Sequence, residues 1–275
     1  DARGILLDAL DKFFERLHAI GETGRRWTLV AEPAVWFASP GGKMKLARSG
    51  GTSGQNLRTE VADLNLDNPS PSPGGEVNLR RGDWGLTVRG FYFANEGDAT
   101  QTSAGQIGDL AYASGDRLRS EMEFGAVEAE GSYRFIDRQL RPLDEGGHAF
   151  NFALDGVAGL RLYDVGWSVR EVGAATGESA DEIFIEPLVG AKMSMELYEQ
   201  VTVDLQLTAG GIGWSGYDVF SVDVIVGVQW NPHPNLGVQA GYRQLAFGLG
   251  RGEDDDRFEQ RGALAGIYGG VVLRF

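Results

Sequence analysis

The sequence predicts an all-β chain, a transmembrane antiparallel β-barrel of about eight to twelve strands with twelve preferred, preceded by an N-terminal amphipathic helix. Three observations carry this. From about residue 84 onward apolar and polar residues alternate strictly, in runs far longer than the roughly 5–6 residues of an ordinary soluble strand and in keeping with the about 9–11 or more that cross a bilayer. The polar faces of these runs mix Asp, Glu, Lys and Arg with many glycines, and Gly is 41 of 275 residues, roughly double the usual 7%. No apolar run is long enough for a spanning helix, which leaves strands as the way across.

Taken in order, residues 1–25 form the first unit and 26–275 the second. Leu6, Leu10, Phe13 and Leu17, with Ile20, recur at three and four, while Asp8, Asp11, Lys12, Glu15 and Arg16 take the opposite face, and Gly21 is a natural stop. This helix is too charged to span and is no signal peptide; a secretory leader is expected to have been removed. It is expected at the periplasmic rim or membrane surface, with a lumen plug or a docking helix as the sharper alternatives. Eight strands are clear, at 84–96, 117–136, 147–170, 183–197, 200–213, 218–231, 235–248 and 259–275. Weaker ones precede them at 26–38, 43–49, 57–63 and 75–81, and the Pro-bearing stretch 65–75 reads as a loop. Gly82-Asp83 makes a hairpin of 75–81 and 84–96. In 117–136, Met122, Phe124 and Ala126 mark one apolar face but Val127, Ala129, Tyr133 and Phe135 mark the other, and a bulge near Gly125 would reconcile them.

Connections alternate in length: those around 97–116, 172–182 and 249–257 are long, while Gly82-Asp83, 198–200 and 231–235 are tight, with Trp214–Tyr217 short for its side and 137–146 long for its own. Short periplasmic turns and long outer loops give this pattern, and both termini on one side require an even strand count. Trp84, Trp230, Tyr242 and Phe275 fall near strand ends, as an interfacial girdle requires. The chain ends Tyr268-x-Gly270-x-x-Leu273-x-Phe275, which resembles the C-terminal assembly signal of bacterial outer-membrane barrels. More broadly, Arg80-Arg81-Gly82-Asp83-Trp84, Gly156-Val157-Ala158-Gly159-Leu160-Arg161 and Gly241-Tyr242-Arg243-Gln244-Leu245 resemble small outer-membrane barrels of the porin-like, OmpA or OmpW class. The resemblance implies the bacterial outer membrane as the location and the barrel-assembly machinery, outer-membrane lipids and lipopolysaccharide as partners. It implies no catalytic residue.

Strand phase puts Arg89, Asp155, Arg161, Glu186, Lys192, Glu196, Asp204, Asp223, Arg243 and Arg274 inward, either as a mixed-charge solute path or as ion pairs that fill the interior. The three histidines, His18, His148 and His233, share no metal-ligand spacing, Cys is absent, and Glu253–Asp256 does not match a calcium loop, so neither metal nor cofactor is expected. A net charge of −14 argues against nucleic acid. The expected role is non-enzymatic: a narrow or occluded pore, or a structural barrel that anchors a protein partner through its helix or outer loops. The alternative is a lipid-modifying enzyme of the lipid A deacylase or acyltransferase type, which needs His and Ser or a carboxylate clustered at the outer leaflet, whereas His148-Ala149-Phe150-Asn151 lacks the Ser of a deacylase pattern. A third reading, a soluble lipid-binding barrel with an apolar lumen, conflicts with the terminal Phe motif.

Overall fold

The computed structural model describes residues 27–48, 58–142, 148–174, 176–198 and 200–275. The expected helix, with Leu6, Leu10, Phe13, Leu17 and His18, lies outside them. Ten long strands make one ring: β1 (Trp27–Lys45), β2 (Ser70–Arg81), β3 (Trp84–Thr100), β4 (Arg117–Pro142), β5 (His148–Glu171), β6 (Gly177–Leu197), β7 (Val201–Trp214), β8 (Tyr217–His233), β9 (Leu236–Arg251) and β10 (Phe258–Arg274). Each pairs antiparallel with its sequence neighbours, and β10 closes on β1 from Val30↔Arg274 to Lys45↔Glu259. Leu29 and Phe275 exchange backbone hydrogen bonds at the seam, so both ends of the ring meet on the side of the tight turns.

Ten strands fall within the expected range but not at the preferred twelve. The two strands expected at 26–38 and 43–49 are replaced by the single strand Trp27–Lys45, because Pro40-Gly41-Gly42 stays laddered to Gly262–Leu264 across the seam. Of the segment 57–63, the described residues 58–63 supply the two-residue strand Thr59–Glu60 at the outer end of β1 and the start of a 3₁₀ turn, Ala62–Leu64. The proline stretch is likewise not all loop. Ser70–Pro73 pairs with β1 on one side, and on the other the Ser70 and Ser72 hydroxyls donate to the carbonyls of Ala94 and Tyr92, reaching β3 before its ladder begins at Gly74↔Phe91. Pro71 and Pro73 point outward, where a missing N–H costs least. At the β2–β3 turn Gly82 has φ +61°, the positive angle that a Gly-X hairpin turn requires.

No register shift occurs at Gly125. The one irregularity in β4 lies between Arg134 and Ile136, at Phe135, and pairing with β3 and β5 runs unbroken through Gly125. The conflict in the sequence has another cause: the two faces exchange polarity along the strand. On β4 the inward set is Leu118, Met122, Phe124 and Ala126, then Glu128, Glu130 and Ser132, while outward it is Arg117, Arg119, Glu121 and Glu123, then Val127, Ala129 and Tyr133. β5 does the same between Leu162 and Asp164, at the matching height, since Val127 pairs with Leu162 and Gly125 with Asp164. Below this line apolar residues face out and polar ones in; above it the order is that of a soluble β-barrel.

The outward apolar belt has the height of a bilayer. On β8 it runs from Phe220 to Trp230, a span that rises about 25 Å at about 3.3 Å per step and a tilt of roughly 40°. Trp27, Trp84, Tyr133 and Trp230 ring its lower edge, with Trp84 and Tyr133 packed edge to face at 4.9 Å; Tyr92 marks the upper edge. Closure leaves no open strand edge around most of the ring, as lipid demands.

Candidate functional site, a filled lumen

The interior is built in layers. At mid-height Arg161 of β5 reaches across the ring: its Nε donates to Glu128 at 2.6 Å, Nη1 to Ser221 at 2.7 Å and Nη2 to Thr208 at 3.1 Å, while Asp223 and Glu186 lie at 3.3 and 3.4 Å. β5 and β8 are three places apart in the sheet, so such contacts exist only through the interior. Arg89 of β3 bonds Glu76 at 2.7 Å, Glu128 at 3.0 Å and Gln206 of β7 at 2.9 Å, and Gln206 in turn donates to Glu130. Arg243 donates to Asp223 at 2.6 Å and lies over the rings of Trp36 and Phe91, at 5.1 and 4.8 Å, which joins the polar layer to the apolar one above. Arg89, Arg161 and Arg243 each meet at least one carboxylate here, the condition under which charges can be buried at all.

The ten residues placed inward by strand phase do not form one cluster. Arg89, Arg161, Glu186, Asp223 and Arg243 make this central layer. Asp155 lies lower, clamped by Arg134 at 2.8 Å and by Arg80. Lys192 approaches Glu76 at 3.9 Å, and Asp204 accepts from Ser194. Arg274, near the lower rim, donates to Gln229 at 3.2 Å, and Glu196 is half-buried on lower β6. Sequence reasoning missed Glu76, Glu128, Glu130, Gln206, Arg80 and Arg134. Glu128 and Glu130 alternate with Val127 and Ala129 and were legible from the lipid-facing set alone. Glycine makes room for the long side chains: a Cβ on Gly210 would stand 2.7 Å from the Glu186 carboxyl carbon. Within the terminal motif Tyr268 and Gly270 point inward, the Tyr268 hydroxyl resting against Gly227.

Above the charges lies an apolar core. Phe124 packs at 4.6 Å from Phe247, 5.7 Å from Tyr163 and 6.1 Å from Phe91, with Leu245 and Leu264 buried beside them. Higher still, Phe184 sits 6.0 Å from Phe258, and Trp167 donates to Gln260 across the ring at 3.1 Å. The outer connections close the top: Val61, Leu64 and Leu66 from one, and Ile107 and Leu110 from the short hairpin Gly105–Ile107/Leu110–Tyr112, are all buried in the same cluster. Between the polar and apolar layers a cavity of about 80 Å³ remains, lined by Glu32, Glu76, Arg89, Trp36, Arg243 and Tyr268 among others. It has room for a few waters and for no larger solute.

No family model and no curated protein matches the chain. Among solved structures it is similar to the outer membrane protease OmpT from Escherichia coli, with a TM-score of 0.49 and 9% identity over 90% of this chain and 97% of that one. It is also similar to Ail, the attachment invasion locus protein of Yersinia pestis, at TM-score 0.35 and 13% identity over 90% and 99%. Neisserial surface protein A gives 0.35 and 13% over 92% and 99%. On its own geometry, a closed antiparallel ring with a bilayer-high apolar belt and an aromatic lower edge, the chain is a ten-stranded outer-membrane β-barrel.

Proposed function

We propose that this barrel does not conduct and serves as a rigid membrane mount for its outer connections. The observation that carries the reading is the Arg161–Glu128–Glu186–Asp223 layer under the Phe124–Phe247–Tyr163 stack: two consecutive plugs of unlike chemistry. A solute would have to break buried ion pairs and then part a packed aromatic core. The same core stiffens the strands where they rise beyond the belt, with Asp98, Arg117, Arg119, Glu121 and Arg170 on their outer wall for water or a protein partner. His233 ends β8 and His148 opens β5, both at the end of the tight turns, so neither supports a lipid-modifying centre at the outer rim. The test is single-channel recording of the purified protein in a planar bilayer. No steady openings are expected; steady ohmic openings would overturn the proposal.

A further inference from the structure

The barrel wall is split between the outer halves of β6 and β7. Pairing between β6 and β7 ends at Leu188↔Gly210, so Gly177–Pro187 has no strand on that side, while β7 continues to Trp214 bonded to β8 alone. Pro187 stands where the ladder stops, and a residue without an N–H cannot extend it. The freed edge of β6 is held instead by side chains. The Tyr217 hydroxyl donates to the Ile185 carbonyl at 2.9 Å and accepts from the Ile185 N–H at 2.7 Å, and Arg251 donates to the Ile183 carbonyl at 3.1 Å. Backbone left open at membrane depth is tolerated where it lines a cavity and finds such partners.

The split forms a slot of about 540 Å³ walled by Leu162, Ile183, Ile185, Trp214, Tyr217 and Arg251, with Phe184 at its back. This is within the roughly 300–1,000 Å³ of small-ligand sites. Trp214 lies stacked on Tyr217 at 4.5 Å yet remains exposed. Leu162, Ile183 and Ile185 also belong to the outward belt, so the slot is continuous with the lipid-facing surface. It spans the height at which the faces exchange polarity: Ile185 pairs with Leu162 below that line and Ile183 with Asp164 above it. Arg251, half exposed and joined to Glu182 at 2.9 Å, supplies polar groups at the rim.

We infer that this slot is a lateral binding site for one acyl chain of lipopolysaccharide, the lipid of the leaflet into which it opens. The inference rests on the membrane placement of the barrel but not on its being closed to ions, so conductance and lipid retention are independent readouts. The full chain is reconstituted separately with lipid A and with phosphatidylethanolamine, exchanged into detergent, and weighed by native mass spectrometry. The expected result is one lipid A retained per wild-type chain. Ile185→Trp, which fills the slot with an apolar ring, and Pro187→Thr, which restores the donor needed to extend the β6–β7 ladder, should each lower retention at least tenfold. Val226→Trp, on the belt away from the slot, should leave it unchanged. A heat-shifted gel band shows which variants have folded. No retention by the wild type, equal retention by folded Ile185→Trp, or equal retention of phosphatidylethanolamine would each overturn the inference.

Discussion

Replacing Arg161 by Met tests whether the lumen is dry. Arg161 is one of the most deeply buried side chains and touches three carboxylates. Its loss does not affect them equally. Asp223 keeps Arg243 at 2.6 Å and Glu128 keeps Arg89 at 3.0 Å, but Glu186 keeps only the Ser221 and Tyr163 hydroxyls. The variant therefore leaves one fully buried carboxylate without a cation. Removing one member of a buried pair costs about 3–5 kcal/mol, or roughly 10²–10³·⁵ in the unfolding equilibrium. Neutralising the stranded partner should recover most of it, so Arg161→Met/Glu186→Gln is expected within about 1.5 kcal/mol of wild type. The assay is reversible urea or guanidinium unfolding of the barrel in detergent or lipid vesicles, run as a double-mutant cycle. A cost under about 1 kcal/mol for Arg161→Met, the value of a solvated ion pair, would mean that water reaches the layer and would refute the reasoning. A full cost with no rescue by Glu186→Gln would place the energy in some contact other than the charge pairing.

Phe124→Ala should cost about 3–5 kcal/mol in the same unfolding assay, since it empties the centre of the aromatic stack, and a cost near that of an exposed belt residue such as Val226→Ala would refute the packing argument. Gly210→Ala sets a methyl against the Glu186 carboxyl and should cost about 1–3 kcal/mol, with Gly210→Ala/Glu186→Gln costing no less because the clash is steric. Outside the membrane, burial against the Gly108 turn, with Asp109 beside it, holds the Glu178 carboxyl above its ordinary 4.5. A raised folded value means that the native state binds more protons, so docking of the Gly105–Tyr112 hairpin is firmest below about pH 4.5 and weakens as pH rises through the shifted value. Hydrogen exchange over 105–112, corrected for intrinsic rate, should show this loosening in the wild type and lose it in Glu178→Gln; a pH response unchanged by that substitution would exclude Glu178 as its source.

Much of the ring was legible in the sequence because strands facing lipid on one side and ion pairs on the other alternate strongly. The spans around Trp84, Val201 and Leu236 come within a few residues of the structure for that reason. What failed were the places where a neighbour, not the local sequence, sets the conformation. Pro40-Gly41-Gly42 reads as a break but stays in β1 because β10 holds it, and Ser70–Pro73 reads as loop but is stitched by two serine hydroxyls. The site was legible only in its phase. Alternation sends Arg161 and Asp223 inward, but nothing local says that they meet across three strands, or that Glu186 has one cation. The apolar upper core mimics a register fault at Gly125 because β4 obeys one polarity rule below that point and the opposite one above it.

The exchange of polarity along the strands also fixes the depth at which the molecule floats. Lifting the barrel by one residue pair brings the apolar belt of Leu162 and Ile185 into water, while sinking it drags Asp164, Glu123 and Glu121 into hydrocarbon. A penalty rises in both directions, so the wall carries its own waterline, and in a thinner or thicker bilayer the lipid has to deform around the protein.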